Sequence, residues 1–246
     1  MSPSVRIALT PSRVAVVNGR SYREAVVAAP GWAAALEALA ALLAGAGVKG
    51  RASVTLSQHF APAYLLAPPP VLLKPAEQAA WVRDTLVRQY GEASRDWRLA
   101  WQPAPPDKPV LATSLAADAL AGLEALARTA SLRLARVQPW LVPACNRLRP
   151  GRVPAWFVLA EPGRLTLAHM QRGALTHLRS TRMQGDAGTA LADLLAREAL
   201  LAGETAPAPV WIESVLPGVD WKGALPGRMV QGLAAGRDLL EPMLKP

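Results

Sequence analysis

Val5-Arg6-Ile7-Ala8-Leu9-Thr10-Pro11-Ser12-Arg13-Val14-Ala15-Val16-Val17-Asn18-Gly19 is the stretch on which the fold reading turns. Two apolar, β-branched runs, Val5 to Leu9 and Arg13 to Val17, flank Thr10-Pro11-Ser12, residue types that favour turns. Asn18-Gly19 is a hairpin signal because both residues tolerate positive φ, and Tyr22 to Val27 follows as a third strand. Pro30-Gly31 then opens a helix in which Trp32, Leu36, Leu39 and Leu43 share one face. Gly45 and Gly47 stop it, and Ala52 to Ser57 reads as a fourth strand. The order is β-β-β-α-β.

That order recurs. Ala155 to Leu159, Arg164 to Ala168 and Ala174 to Thr181 read as three strands joined by tight turns at Pro162-Gly163 and Arg172-Gly173. Gly185-Asp186 opens a helix through Leu191, Leu194, Leu195 and Ala202, and Val210 to Val215 is the strand after it. Duplication of one unit is the simplest account. Between the copies, the proline-rich passage Pro62 to Pro75 excludes a central strand and suits an edge segment or a linker. Ala76 to Tyr90 reads as a helix, Asp96 to Gln102 and Val110 to Thr113 as strands, and Pro103 to Pro109 as a loop. Ser114 is the expected N-cap of a helix with Ala116, Leu120, Leu123, Ala127 and Ala130 on one stripe. Leu132 to Val137 is a strand, and Pro139 to Leu148 a short helix with proline at its start. One more helix is expected from Met229 to Leu240. The implied organisation is a first half over 1–150, with an inserted subdomain at about 60–105, and a shortened second half over 151–246.

Composition bounds the rest. Half of the 246 residues are apolar, which excludes a disordered chain. The most apolar helical stretch, Trp32 to Val48, is interrupted by Glu37 and is too short to cross a bilayer. Met1 to Arg6 has no basic region followed by an apolar run, so no secretory signal is expected. A single cysteine, Cys145, cannot form a disulfide within the chain and fits a reducing compartment. The net charge is +9, and all of the excess lies between Ala125 and Gly185, where ten arginines accompany one acid, Glu161. Such a field suits an anionic partner: nucleic acid, an acidic protein face or anionic lipid. A solvated arginine surface explains it equally well.

No motif of a catalytic centre is present. Gly45-Ala46-Gly47-Val48-Lys49-Gly50 matches a dinucleotide fingerprint as a string, but it follows a helix and precedes a strand, the reverse of what phosphate binding at a helix N-terminus needs. Ser57 and His59 lack an orienting acid and an oxyanion hole. His169 and His177 are placed to face each other across a hairpin, but with Cys145 they still lack what would make a metal site. Trp81, Trp97, Trp101, Trp140, Trp156, Trp211 and Trp221 are spread along the chain, as core packing requires, rather than clustered into a stacking platform.

A duplicated three-strand-plus-helix unit resembles the actin-like (RNase H-like) ATPase fold, an α/β class. The details are similar to one branch, the type IV pilus and type II secretion assembly proteins of the PilM and GspL-like group. The resemblance lies in the hairpin Val5 to Val17, the strand Ser53 to Ser57, the helix starting Pro75-Ala76-Glu77, the run Leu132 to Pro139, and Gln184-Gly185-Asp186 leading into Leu191-Ala192-Asp193-Leu194-Leu195. It covers roughly residues 4 to 215. It implies a nucleotide cleft whose positions here are Thr10, Ser12, Glu161, Gly163 and Gly185. Active members carry an Asp-x-Gly turn in the first hairpin, and usually a second acid-and-glycine turn. Here the first turn, Leu9-Thr10-Pro11-Ser12-Arg13, has neither acid nor glycine, and Pro11 has no N–H. In the second, Ala160-Glu161-Pro162-Gly163-Arg164, a proline intrudes. No cofactor is therefore expected; ATP is the one the resemblance would supply, and these departures weigh against it.

What the resemblance implies is a non-catalytic scaffold in the cytoplasm, peripheral at the inner membrane. Its partners would be inner-membrane pilus or secretion assembly proteins, one of which docks a short segment. The expected docking residues are Tyr64, Leu65, Leu66 and Leu72, beside the proline-rich passage whose edge can accept an added strand. The arginine-rich middle would meet the partner or an anionic membrane surface. Two alternatives are an ATPase working through the degenerate turns and, less favoured, a nucleic-acid-binding protein.

Overall fold

The computed structural model describes residues 5–45, 47–105, 107–147, 153–232 and 240–245. The chain divides into two compact units, residues 1–140 and 141–245. The first holds β1 (Val5–Leu9), β2 (Arg13–Asn18), β3 (Ser21–Val26), α1 (Trp32–Ala44) and β4 (Gly50–Leu56). It continues through β5 (Ala63–Leu66), α2 (Pro75–Tyr90), β6 (Arg98–Trp101), β7 (Val110–Leu115), α3 (Ala117–Thr129) and β8 (Leu132–Pro139). The second holds α4 (Leu141–Arg147), β9 (Ala155–Glu161), β10 (Arg164–Gln171), β11 (Ala174–Arg182) and α5 (Ala187–Leu201). After these come β12 (Val210–Ser214), α6 (Trp221–Ala224), β13 (Val230–Gly232) and α7 (Glu241–Leu244).

The two large sheets have the same order, β3-β2-β1-β4-β8 and β11-β10-β9-β12-β13. In each, the first three strands form an antiparallel meander, and the fourth returns parallel to the first: β4 to β1, β12 to β9. A parallel return needs a crossover, which α1 and α5 supply. The duplication read from the sequence is therefore a property of the fold.

In each unit the first strand is central. All seven residues of β9 are buried, as are four of the five in β1, so both read as unbroken apolar runs. The outer strands β3 and β11 carry the polar residues. In the first unit Ile7, Val14, Val16 and Val54 pack with Leu39 and Leu43 of α1 and with Leu123 and Ala127 of α3. Gly122 lets the two helices close, since a Cβ there would sit 3.1 Å from Leu36 Cδ1. Leu36 and Trp32 pack at the margin, Trp32 edge-on to Phe60 at 5.0 Å, while Ala35 takes the fully buried position. In the second unit Val158, Ala160, Leu165 and Leu167 pack against Leu191, Leu194 and Leu195 of α5. A third, small sheet, β5-β7-β6, lies under α2 with Leu66, Val82, Leu86, Val110 and Ala112 as its core. Proline-flanked β5 is an edge strand, as its missing donors require.

Four local expectations are corrected. Ser114 is no helix cap: it lies within β7, its hydroxyl 3.0 Å from the Tyr64 hydroxyl, and α3 starts three residues later behind Ala116. The α3 stripe turns accordingly to Ala119, Leu123 and Ala127. Pro139 ends β8, and α4 begins at Leu141. Residues 230–232 of the expected last helix form β13, parallel to β12, because that edge offers a ladder to an otherwise unpaired segment; residues 233–239 lie outside the described residues.

Arg147 at the end of α4 bonds the Glu213 carboxylate of β12 at 2.5 Å and donates to the carbonyls of Pro242 and Lys245, each at 3.0 Å. Glu213 is fully buried, so this one guanidinium both neutralises it and holds residues 240–245 against the sheet. Replacing Arg147 with Ala strands a buried carboxylate, and the expected loss is about 3–5 kcal/mol. Urea unfolding measures it, and limited proteolysis should show the C-terminal segment cleaved first.

Candidate functional site

The turn between β1 and β2 is closed upon itself. Thr10 N donates to Arg13 O at 2.9 Å, Arg13 N to Thr10 Oγ1 at 2.9 Å, and Thr10 Oγ1 to Arg13 O at 2.8 Å. Thr10 is buried, and Arg13 reaches Glu24 on β3 at 2.8 Å. The carbonyls of Leu9 and Ser12 accept from Ser57 N and Val27 N, each at 2.9 Å. A phosphate cradle needs several backbone N–H groups aimed outward. Of residues 10–13, two spend their N–H inside the turn and Pro11 has none, which leaves Ser12.

The corresponding turn of the second unit has Pro162 followed by Gly163 at φ +74°, the pattern of a type II turn. Glu161 precedes it. It is the last residue of β9, 1% exposed, with Arg164 as its register partner. Met183 N donates to Gly163 O at 2.9 Å, which ties the exit of β11 to this turn two residues before Gly185. Gly185 is exposed at φ +71°, a value that favours glycine. Asp186 then caps α5, its carboxylate accepting from Thr189 N at 2.8 Å and Thr189 Oγ1 at 3.0 Å. Those bonds, the backbone one first, hold its carboxyl below the usual range. A Cβ on Gly188 would sit 2.8 Å from the Ala224 Cβ of α6, so the first turn of α5 is already packed over. A carboxylate and a helix thus occupy the positive end where an anion would bind. Thr10 and Ser12 belong to the first unit, and Glu161, Gly163 and Gly185 to the second.

The histidines do face each other, as register partners across β10 and β11. Each is engaged elsewhere. His169 Nδ1 lies 2.9 Å from Thr176 Oγ1, and its ring stacks at 4.6 Å on Trp156. Burial, foremost, pushes its pKa down. His177 Nε2 lies 2.7 Å from Glu198 of α5, which Arg197 also binds. Trp156 Nε1 donates to Glu204 at 3.0 Å; Glu204 in turn accepts from Arg228 at 2.8 and 3.1 Å and from Ala208 N. Burial pushes the Cys145 thiol up to about 12, with the Glu213 charge adding to it, so it stays protonated and unreactive at neutral pH. Among the described residues no three His, Cys, Asp or Glu side chains converge on a metal site. Ser57 Oγ accepts from His59 N at 3.1 Å, a local turn contact. Trp140 and Trp156 are fully buried, so neither is a stacking platform. Glu198 and Glu204, which organise this cluster, are not singled out by the sequence: besides Arg197 and Ala208 N close by in the chain, their partners His177, Arg228 and Trp156 lie 21 to 48 residues away.

Around β5, Leu66 sits inside the small core, Tyr64 and Leu65 are half-buried, and Leu72 is 78% exposed beside Val71. Tyr64 also stacks at 5.1 Å on Tyr90. β5 is the outer strand of its sheet.

Twice over, a meander with a parallel fourth strand and a crossover helix defines the actin-like class, and this chain has that fold. It superposes on a chain of the PilM–PilN type IV pilus biogenesis complex with a TM-score of 0.70 and 13% identity, over 98% of this chain and 90% of that one. For the cytoplasmic domain of EpsL, an inner-membrane component of the type II secretion system of Vibrio cholerae, the TM-score is 0.60 at 13% identity, over 98% and 93%. A Bacteroides thetaiotaomicron protein with an actin-like ATPase fold and unknown function gives 0.60 at 8%, over 92% and 90%. No protein-family model and no curated protein matches the sequence. No helix among the described residues is long and apolar enough to cross a membrane.

Burial raises the carboxyl pKa values of Glu198 and Glu204, but their hydrogen bonds outweigh it and hold both below the ordinary range. A lowered native pKa gives stability that is complete above the unfolded value, about 4.3, and is lost as pH falls through the native one. The part of the urea stability owed to these two carboxylates should therefore be flat from about pH 5 upward and fall below it. The lowered pKa of His169 adds a separate decline that begins as pH falls through about 6.5. Glu204→Gln should lower stability at pH 7 by about 1–3 kcal/mol and narrow the gap between pH 7 and pH 4.

Proposed function

We propose that this chain is a non-catalytic scaffold in the cytoplasm, held at the inner membrane by binding a short segment of a membrane-embedded assembly protein of a type IV pilus or type II secretion system. The observation that carries the first part is the closed turn at Thr10–Arg13, with its N–H groups turned inward and its carboxylate and glycine missing. The capped and covered start of α5 supports it further. The second part rests on the likeness to a chain of the PilM–PilN complex and to the cytoplasmic domain of EpsL, both assembly components by description.

The docking region we favour is the β5 edge. An outer strand leaves half of its backbone donors and acceptors facing away from the sheet; Leu65 on the strand is half-buried, and Leu72, six residues beyond its end, is exposed. Leu66 serves the core instead, and Tyr64 supports the strand through Ser114.

Two measurements test this reading. Calorimetry with millimolar Mg-ATP should give weak or no heat of binding, and phosphate release should stay at background; micromolar affinity would overturn the pseudo-ATPase assignment. Membrane pull-down should recover an inner-membrane partner with the wild-type chain. Leu72→Asp, at a site 78% exposed, should reduce recovery tenfold or more while thermal unfolding stays within about 0.5 kcal/mol of wild type. Unchanged recovery removes the β5 edge from the assignment.

A further inference from the structure

We infer that the outer edge of β11 is a second docking site, one that takes an acidic extended segment of another protein as an added strand. It does not rest on the β5 edge or on the nucleotide reading, and it lies in the other unit.

Four of the arginines that carry the charge excess lie on the β10–β11 hairpin: Arg164, Arg172, Arg179 and Arg182. Arg164 has Glu161 opposite it on β9 and bonds Ser180 Oγ at 3.1 Å. Among the described residues no carboxylate pairs with Arg172, Arg179 or Arg182. Two of these stand where stability alone disfavours arginine. Arg172 occupies the hairpin tip at φ +53° with Gly173 at +77°, the conformation of a type I′ turn, in which asparagine or glycine is unstrained and a long side chain is not. Arg182 lies directly across from Arg164, a like-charge cross-strand pair. Register puts Arg179 opposite Leu167, on the face that packs against α5, and Arg182 on the other face, so the strand is cationic on both sides.

β11 ends its sheet, so half of its backbone N–H and C=O groups point away from β10. Exposed Arg179 and Arg182, with half-buried Leu175 and Leu178, give that edge both charge and apolar surface. A charged edge of this kind also blunts self-association, since copies of this chain repel one another there. An acidic strand reverses that sign: it completes the ladder and neutralises the arginines together. Lipid headgroups offer no matching ladder. Nucleic acid finds no aromatic platform, because Trp156 under the hairpin is fully buried.

The test uses the full chain and a fluorescein-labelled ten-residue peptide alternating Glu or Asp with Val and Thr. The same peptide with Gln and Asn, a twenty-base single-stranded DNA, and phosphatidylcholine vesicles with and without phosphatidylglycerol serve as comparison probes. The acidic peptide should bind at least tenfold more tightly than its amide counterpart, and more weakly as salt rises. Arg179→Glu with Arg182→Glu should abolish that preference, whereas Arg133→Glu with Arg136→Glu, on β8 of the first unit, should preserve it. Arg172→Asn should weaken binding while raising the thermal midpoint. Amide exchange at residues 174–182 should slow when the peptide is bound. Equal binding of the amide peptide, no binding at millimolar concentration, or unchanged binding by the Arg179/Arg182 variant would overturn the site. So would a charge-reversal effect confined to the DNA or to anionic vesicles.

Discussion

The parallel pairing of β4 with β1 and of β12 with β9 is the constraint on which the rest of this structure depends. A parallel return cannot be made by a tight turn, so a helix must cross over one face of the sheet, and the first strand of each unit becomes central. Being central, β9 is buried along its whole length. The buried strands then fix where polarity can go: onto β3 and β11 at the rims and into the turns at strand ends. The same geometry places the first hairpin turn of each unit at the end of the central strand, which is where the actin-like plan would put its phosphate contacts.

Those turns are where this chain departs from the Asp-x-Gly pattern. The backbone follows the actin-like course at both places, yet the first turn spends the N–H groups of Thr10 and Arg13 within itself and the second is set by Pro162 and Gly163. Phosphate binding depends on unsatisfied N–H groups held in readiness, and a turn that closes through Thr10 has little of that left.

Carboxylates serve the frame of the second unit. Glu198, Glu204 and Glu213 each bind a basic side chain, tying α5 to β11, Arg228 to the approach of β12, and α4, through Arg147, to β12 and the C-terminal segment. These acids are engaged within the unit, and among the described residues no carboxylate pairs with Arg172, Arg179 or Arg182 at its rim. Part of the charge excess read along the chain thus lies on the exposed rim strand β11.

Much of this was legible in the residues themselves. The strand pattern of Val5 to Val17, the punctuation at Asn18-Gly19 and Gly185, and the recurrence after Pro154 determine a duplicated β-β-β-α-β unit, because period-2 apolar runs and positive-φ glycines are local properties. The missing acid and glycine at Thr10-Pro11-Ser12 were equally plain. Ser114 misled because a serine ahead of an apolar stripe looks the same whether it caps a helix or ends a strand; its bond to Tyr64, fifty residues away, decided the matter. Leu66 and Leu72 are alike in sequence, yet Leu66, paired with Val110 of β7, is core, while Leu72, beyond the end of the strand, is surface. The roles of Arg147, Glu198 and Glu204 were settled the same way. Local chemistry determined which elements form; the tertiary structure decided which distant polar groups meet, because partners such as Arg147 and Glu213 or His177 and Glu198 are brought together by packing across the fold.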